Sequence, residues 1–335
     1  MRIGVRIGAL LLSLLLLAAA HAPAQEPLAF DPFPAETVDA ERLGVNAFVN
    51  DPRFGTIREQ FLEVKRVLRL KRTRILFVWS DQVQPSPDSP PNFSFYDEIV
   101  RNIPRRMEAF AVVAGLPSWM SDPRNWIDGN PRKTFVELFL KKLALRYRKR
   151  RRLKGFQVWN EPNNSDVPEN AVLEVRNSPE NYAELMRFAH AAMRAAVPRR
   201  LLISGATTAI AQNYPETLDY NKSLKAAGME QVVDIWGVHY YGTHYENLLR
   251  PDNVAEFLNT LSVPIWITET GKQGVNDQRD YFEHIIPLLM EMVPGIERAY
   301  IYQFAEDAPA DDTYGLRNLT PGRELSDFYI WLRDR

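Results

Sequence analysis

The 335-residue chain contains no cysteine. Disulfides, a thiol nucleophile, thiolate metal sites and a lipid-bearing N-terminal cysteine are all excluded. Histidine is scarce as well. The five present, His21, His190, His239, His244 and His284, show no spacing that pairs them as metal ligands, so neither a metal nor another cofactor is expected. Charge of one sign is also missing: 41 Lys and Arg against 42 Asp and Glu leave a net charge of −1, which gives no global attraction for nucleic acid. The apolar run at the N-terminus, Ile7 to Ala20, has 14 residues, short of the roughly 20 that a spanning helix needs.

With Arg2 and Arg6 ahead of it and Ala22-Pro23-Ala24 behind it, that run reads as a signal peptide over residues 1–24. The two arginines are not adjacent, which argues against a twin-arginine signal. The expectation is an exported monomer, periplasmic or extracellular, with a mature net charge of about −3 and no stable membrane insertion after cleavage. An exported chain without disulfides must be held by its core, which favours one large domain. Apolar residues at 45% and charged residues at 25% suit a soluble globular protein of that kind.

From residue 43 onward, β-rich runs alternate with helical patterns. The candidate strands are 43–48, 73–78, 107–114, 155–160, 201–205, 234–240, 264–269 and 298–304, with starts spaced by 30, 34, 48, 46, 33, 30 and 34 residues. Each interval accommodates a strand, a helix and two loops, since a βαβ unit occupies about 30 residues or more. Eight such units in series, with no break for a second domain, predict an α/β fold: a single (β/α)8 TIM barrel over residues 43–335. Residues 25–42, Pro-rich and without a period, read as a lead-in segment across the barrel's closed end.

Helix ends are marked by Asn130-Pro131 and by Ser178-Pro179-Glu180, each an N-cap followed by proline in the first turn. Phe135, Leu138 and Leu145 recur at helical spacing as a core face. Pro287, inside the apolar run from Phe282 to Val293, predicts a kinked or broken helix. The basic run from Arg146 to Lys154 reads as a last helical turn and an exposed loop on the face opposite the strand ends.

Two of the strands end in a carboxylate. Strand four runs into Trp159-Asn160-Glu161-Pro162-Asn163 and strand seven into Trp266-Ile267-Thr268-Glu269-Thr270-Gly271. Burying an unpaired carboxylate is costly, so a glutamate finishing an apolar strand is exposed, paired or functional. The C-terminal mouth of a barrel is where its active site forms. Strands four and seven face each other across that mouth, so both side chains can converge on one bond. Paired carboxyl groups flanking a glycosidic bond are what glycoside hydrolysis requires.

The two motifs together resemble the large retaining glycosidase clan with glutamates on strands four and seven, above all its cellulase-like family five and xylosidase-like family thirty-nine. The resemblance spans essentially the whole mature chain. It implies Glu161 as acid/base, Glu269 as nucleophile, Asn160 as donor to the sugar 2-hydroxyl, and an oligo- or polysaccharide substrate cleaved at β-glycosidic bonds. Arg74 resembles the strand-two arginine that binds the nucleophile, and His239-Tyr240-Tyr241 the clan's His-x-Tyr pair. Alternation sends His239 and Tyr241 to the same side of their strand. Arg74 would hold Glu269 ionised, and the Glu269 charge would raise the proton affinity of Glu161. Where relatives carry a tryptophan on strand eight, this chain offers Tyr302. Trp79, Trp119 and Trp126 follow strands two and three as candidate sugar platforms, whereas alternation directs Trp236 and Trp266 toward the helices.

Two other functions fit the same residues: a glycan-binding barrel without turnover, and a transglycosylase that passes the covalent intermediate to a sugar hydroxyl. The identity of the sugar and the choice of internal or terminal cleavage are left to the loops at 80–95, 117–130 and 162–177.

Overall fold

A computed structural model of the chain describes residues 36–210, 216–241 and 253–335. The signal peptide expected over 1–24, residues 25–35 of the lead-in, His21 and His244 lie outside the described residues.

Eight strands form one parallel sheet: β1 (Leu43–Asn46), β2 (Arg72–Val78), β3 (Glu108–Ala114), β4 (Leu153–Val158), β5 (Leu201–Ser204), β6 (Trp236–Tyr241), β7 (Ile265–Gly271) and β8 (Ile296–Ile301). These are the strands expected, with ends differing by three residues at most. Their order is β5-β4-β3-β2-β1-β8-β7-β6. The sheet curls until β5 meets β6, where Ile203 bridges to Ile235 and the Ser204 N–H donates to the Ile235 carbonyl at 3.1 Å. The result is a nearly closed (β/α)8 barrel.

Helices intervene between the strands: α1 (Ile57–Arg66), α2 (Ser94–Asn102), α3 (Pro131–Phe135), α4 (Lys141–Tyr147), α5 (Pro168–Val172), α6 (Pro179–Ala196), α7 (Glu216–Ala226), α8 (Val254–Asn259) and α9 (Gln278–Met292), with α10 (Asp327–Asp334) at the C-terminus. The Asn130 side chain accepts from the N–H groups of Arg132 and Lys133, and Ser178 Oγ from that of Asn181. These are the caps the sequence marks. Among the described residues no helix is long and apolar enough to cross a membrane.

Alternation along the strands sorts side chains into two layers. Ile75, Phe77, Val113, Val158 and Ile267 face outward and pack in the large core cluster under the helices. Phe110, Val112, Ile203, Ile235, Trp266 and Tyr300 fill the barrel itself. Gly44 makes room in this inner layer, because a Cβ there would sit 2.4 Å from the Tyr300 ring.

Trp266 therefore points into the barrel and not toward the helices. Simple alternation from Glu269 fails because β7 carries an irregularity between Ile267 and Thr270, and an extra residue in a strand moves everything before it to the other face. Trp236 does face outward, its ring edge-on to Phe257 of α8.

Trp79 is a second correction. It shares the outer face with Ile75 and Phe77, is wholly buried, and stacks on Phe139 with centroids 5.4 Å apart and an interplanar angle of 7°. It is a core residue under the α3 region and not a sugar platform.

Two helical expectations also change. A π-turn, Val136–Leu140, joins α3 to α4, so the buried stripe runs through Phe135, Phe139, Leu143 and Tyr147, while Leu145 is 37% exposed. And α9 continues through Pro287 without a break. Proline removes the N–H that would have bonded the carbonyl four residues earlier, and here that carbonyl, on Glu283, accepts from the Glu36 N–H at 2.9 Å. Within the basic run Arg146 pairs with Asp97 of α2 and Lys154 with Glu108 at the start of β3 at 3.2 Å, while residues 148–152 are exposed.

Trp79→Ala should destabilise the protein by about 3–5 kcal/mol, as for other buried aromatic truncations. Urea unfolding measures this, and wild-type stability in that variant would contradict a packing role for the Trp79 ring.

Candidate active site

The floor of the site is assembled around one guanidinium. Arg74, on the inward face of β2, is 6% exposed and donates to side chains from three other strands. Its Nη1 reaches Glu269 Oε1 at 2.5 Å and Asn46 Oδ1 at 2.7 Å, its Nη2 reaches Asn160 Oδ1 at 2.7 Å, and its Nε reaches Gln157 Oε1 at 2.8 Å. The planar fork of arginine fixes all these directions at once. Gln157 passes the order on, donating to the Ser204 carbonyl at 2.9 Å and Thr268 Oγ1 at 3.1 Å. Gly237 leaves space for it, since a Cβ there would lie 2.9 Å from Gln157 Nε2. Because Asn160 turns its carbonyl oxygen to Arg74, its amide nitrogen is left as the donating end.

Glu161 follows β4 in a turn where Trp159 and Glu161 both have positive φ, 72° and 45°. Glu269 is delivered by the irregular stretch of β7. Each glutamate is 8% exposed. Between them lies the His239 imidazole, fully buried, with Nδ1 3.0 Å from Glu161 Oε1 and Nε2 3.4 Å from Glu269 Oε1. Asn164 Nδ2 donates to Glu161 Oε2 at 2.9 Å, and the Tyr241 hydroxyl donates to Glu269 Oε2 at 2.9 Å. One oxygen from each glutamate and one imidazole nitrogen lie within 4.8 Å of one another.

The electrostatics differ from the sequence expectation in one respect. Burial pushes the Glu161 carboxyl up, but the hydrogen bond and charge of His239, the Asn164 amide and the Arg74 charge outweigh it, leaving Glu161 below the usual carboxylate range. The dominant neighbour is thus the imidazole and not the Glu269 charge. For Tyr241, burial and the Glu269 charge both push the phenol well above its ordinary value, so it remains a donor. Glu161, His239 and Glu269 also make the one three-residue set of potential metal ligands among the described residues. Arg74 already supplies positive charge to Glu269, and a hydrogen bond joins His239 Nδ1 to Glu161, while the buried His239 Nε2 has no hydrogen-bond partner among the described residues.

Of the residues singled out in the sequence, Arg74, Asn160, Glu161, His239, Tyr241 and Glu269 come together here. Tyr302, beyond the end of β8, is half-buried, its ring edge-on to Tyr241 with centroids 6.1 Å apart. Trp119 and Trp126 are half-buried in the loop after β3 and donate to the carbonyls of Gln84 and Met120, both at 2.8 Å. Sequence reasoning missed Asn46, Gln157, Asn164 and Tyr314. Asn46 and Gln157 lie at inward positions of strands already identified, and that parity was the available signal. Tyr314, whose ring is 5.4 Å from Tyr241, comes from the long segment after β8, and nothing in its local pattern points to the site.

The sequence profile of the glycosyl hydrolase catalytic core matches residues 136–313, more than half of the chain. The chain belongs to this family. The matched span runs from the π-turn past β8 and includes both glutamates, whereas Asn46 and Arg74 precede it. No curated protein sequence matches the chain.

Among solved structures, the chain is similar to a family 39 glycoside hydrolase from the gut symbiont Bacteroides cellulosilyticus WH2. Identity is 17% and TM-score 0.63, covering 89% of this chain and 64% of that one. A monomeric β-xylosidase from Caulobacter crescentus CB15 shares 16% identity at TM-score 0.62, covering 90% and 69% of the two chains. The family 1 β-glucosidase from Thermotoga maritima shares 12% identity at TM-score 0.64, covering 90% and 98%. This chain spans less than two thirds of the family 39 enzyme, and at these identities the likeness establishes the fold.

Removing one partner of a buried ion pair leaves the other charge uncompensated. Arg74→Leu should therefore cost about 3–5 kcal/mol in urea unfolding. Adding Glu269→Gln to that variant should recover part of the loss. A double variant no more stable than Arg74→Leu alone would show that the orphaned carboxylate is not the cause.

Proposed function

We propose that the protein is a retaining glycoside hydrolase that cleaves β-glycosidic bonds of an oligo- or polysaccharide by double displacement. The observation that carries this reading is the approach of Glu161 and Glu269 oxygens to within 4.8 Å at the barrel mouth. A carboxylate pair about 5–5.5 Å apart goes with a covalent intermediate, whereas inversion needs roughly 6.5–9.5 Å to admit a water between sugar and base.

In the first step a Glu269 oxygen attacks the anomeric carbon. The bond to the leaving oxygen breaks, its electron pair goes to that oxygen, and the oxygen takes the proton of Glu161. In the second step Glu161 accepts a proton from water as the water attacks the same carbon, releasing Glu269 and a sugar with its original anomeric configuration. Arg74 and Tyr241 aim the Glu269 carboxylate by hydrogen bonding, and Asn160 presents its amide to the sugar 2-hydroxyl. Glu161 must carry a proton when substrate is bound. A sugar filling the cleft strips water from Glu161, and loss of water favours the neutral carboxyl against the pull of His239.

Screening against a polysaccharide panel and aryl β-glycosides, with reducing-end detection, identifies the substrate. Glu269→Gln and Glu161→Gln should each lower turnover by orders of magnitude while the protein stays folded, and proton NMR of the first-formed sugar should show the substrate's anomer. Near-wild-type turnover by Glu269→Gln, or the inverted anomer as first product, would remove this mechanism. Binding on the panel without any product would favour the glycan-binding barrel, and longer oligosaccharides at high acceptor concentration the transglycosylase.

The pH profile supplies a separate test of the acid. His239 is the main influence lowering the affinity of Glu161 for its proton, so His239→Ala leaves burial to dominate and raises it. The alkaline limb of kcat/KM, which reports loss of that proton from free enzyme, should then move to higher pH. A limb that stays put or moves down would detach it from Glu161.

A further inference from the structure

Between β4 and α6 the chain forms the short helix α5, and its Asn170 is completely buried. The amide is fully engaged with a single neighbouring segment. Asn170 Oδ1 accepts from Trp159 Nε1 at 2.6 Å, and Nδ2 donates to the carbonyls of Glu161 and Asn164, both at 2.8 Å. Two of these three partners, Trp159 and Glu161, have positive φ. Such a conformation costs a side-chain-bearing residue about 1–3 kcal/mol and persists only where the surroundings over-determine it. The third, Asn164, places its own amide on Glu161 Oε2.

The support beneath Asn170 is itself anchored. Val175 N–H donates to the Asn170 carbonyl at 2.9 Å, and Arg132 Nη1 donates to the Leu173 carbonyl at 2.8 Å. Arg132 is only 7% exposed, and its Nε pairs with Glu184 of α6 at 2.5 Å. A rigid chain of contacts thus runs from α6 through α5 to the turn that carries Glu161. A leucine of similar size at 170 would fill the space and hold none of this, which makes the amide, and not its volume, the feature to explain.

We propose that Asn170 is a positioning residue for Glu161: it fixes the left-handed turn that presents the carboxyl and keeps the Asn164 amide on that carboxyl's second oxygen. Asn170 has no part in contacting sugar. This inference rests on reading Glu161 as the acid/base. Its consequence is selective, because a misplaced acid harms only those steps that need its proton.

The test uses the full chain with matched phenyl and 2,4-dinitrophenyl β-glycosides, the glycone being one the wild type turns over. Phenolate leaves slowly without a proton, whereas dinitrophenolate needs none. For Asn170→Ala, kcat/KM on the phenyl glycoside should fall about 10- to 100-fold, a fraction of the full value of general-acid catalysis. On the dinitrophenyl glycoside it should change by less than about threefold, since its first bond cleavage bypasses the acid. Asn170→Ser, which can serve one of the three partners, should fall between.

Equal losses on both substrates would make Asn170 a general support and overturn the proposal, as would no loss on either, or failure of both variants to fold. Glu161→Gln run in parallel separates the two readings. If that variant shows no leaving-group dependence, the assignment of Glu161 is at fault; if it does and Asn170→Ala does not, the fault lies with Asn170.

Discussion

A buried guanidinium is the constraint from which the rest of the site follows. Arg74 lies on β2 but is bonded to side chains of β1, β4 and β7 or the turns after them, so its environment exists only if the sheet curls round. Taking a charge out of water costs several kcal/mol unless it is paired and its hydrogen bonds are met. Here the carboxylate of Glu269 supplies the pair, and the amides of Asn46, Asn160 and Gln157 supply the rest. Closure of the barrel and assembly of the site are therefore one event, and the layer of Trp266, Phe110 and Tyr300 beneath keeps that charge above a dry interior.

The two glutamates share a cleft but not an environment. Glu269 is held by a guanidinium and a phenol, and burial beside that carboxylate keeps the phenol protonated. Glu161 is held by an imidazole and by an amide on a turn in left-handed geometry. A pair of carboxyl groups divides acid from nucleophile by such differences in surroundings, and not by any difference in the residues themselves. The buried imidazole lies against both, so it couples the two halves of the site at distances of 3.0 and 3.4 Å.

Legibility in the sequence followed the reach of the interactions. Strands showed because their apolar runs recur at intervals that a βαβ unit sets, and the paired glutamates showed because a carboxylate ending an apolar strand is conspicuous on its own. Alternation misled where the strand itself is irregular: the stretch between Ile267 and Thr270 places Thr268 and Glu269 both toward the barrel, and Trp266 with them. The same alternation, carried from Arg74 through Phe77, does place Trp79 in the outer core. Pro287 is compatible with a continuous α9 because a backbone donor 247 residues away in the chain, on Glu36, takes the carbonyl it strands.

By itself the sequence determined the class of fold, the count of strands and the two ends from which the carboxylates project, since each depends on patterns a few residues long. How those carboxylates meet the groups around them was decided by the tertiary structure. Asn46 and Gln157 reach Arg74, and His239 reaches both glutamates, only when strands 28 to 83 residues apart in the chain are brought round one axis, and no local spacing encodes that meeting. The proton balance of Glu161 belongs to the same category, because it is a sum over burial, an imidazole, an amide and a guanidinium that the closed barrel collects in one place.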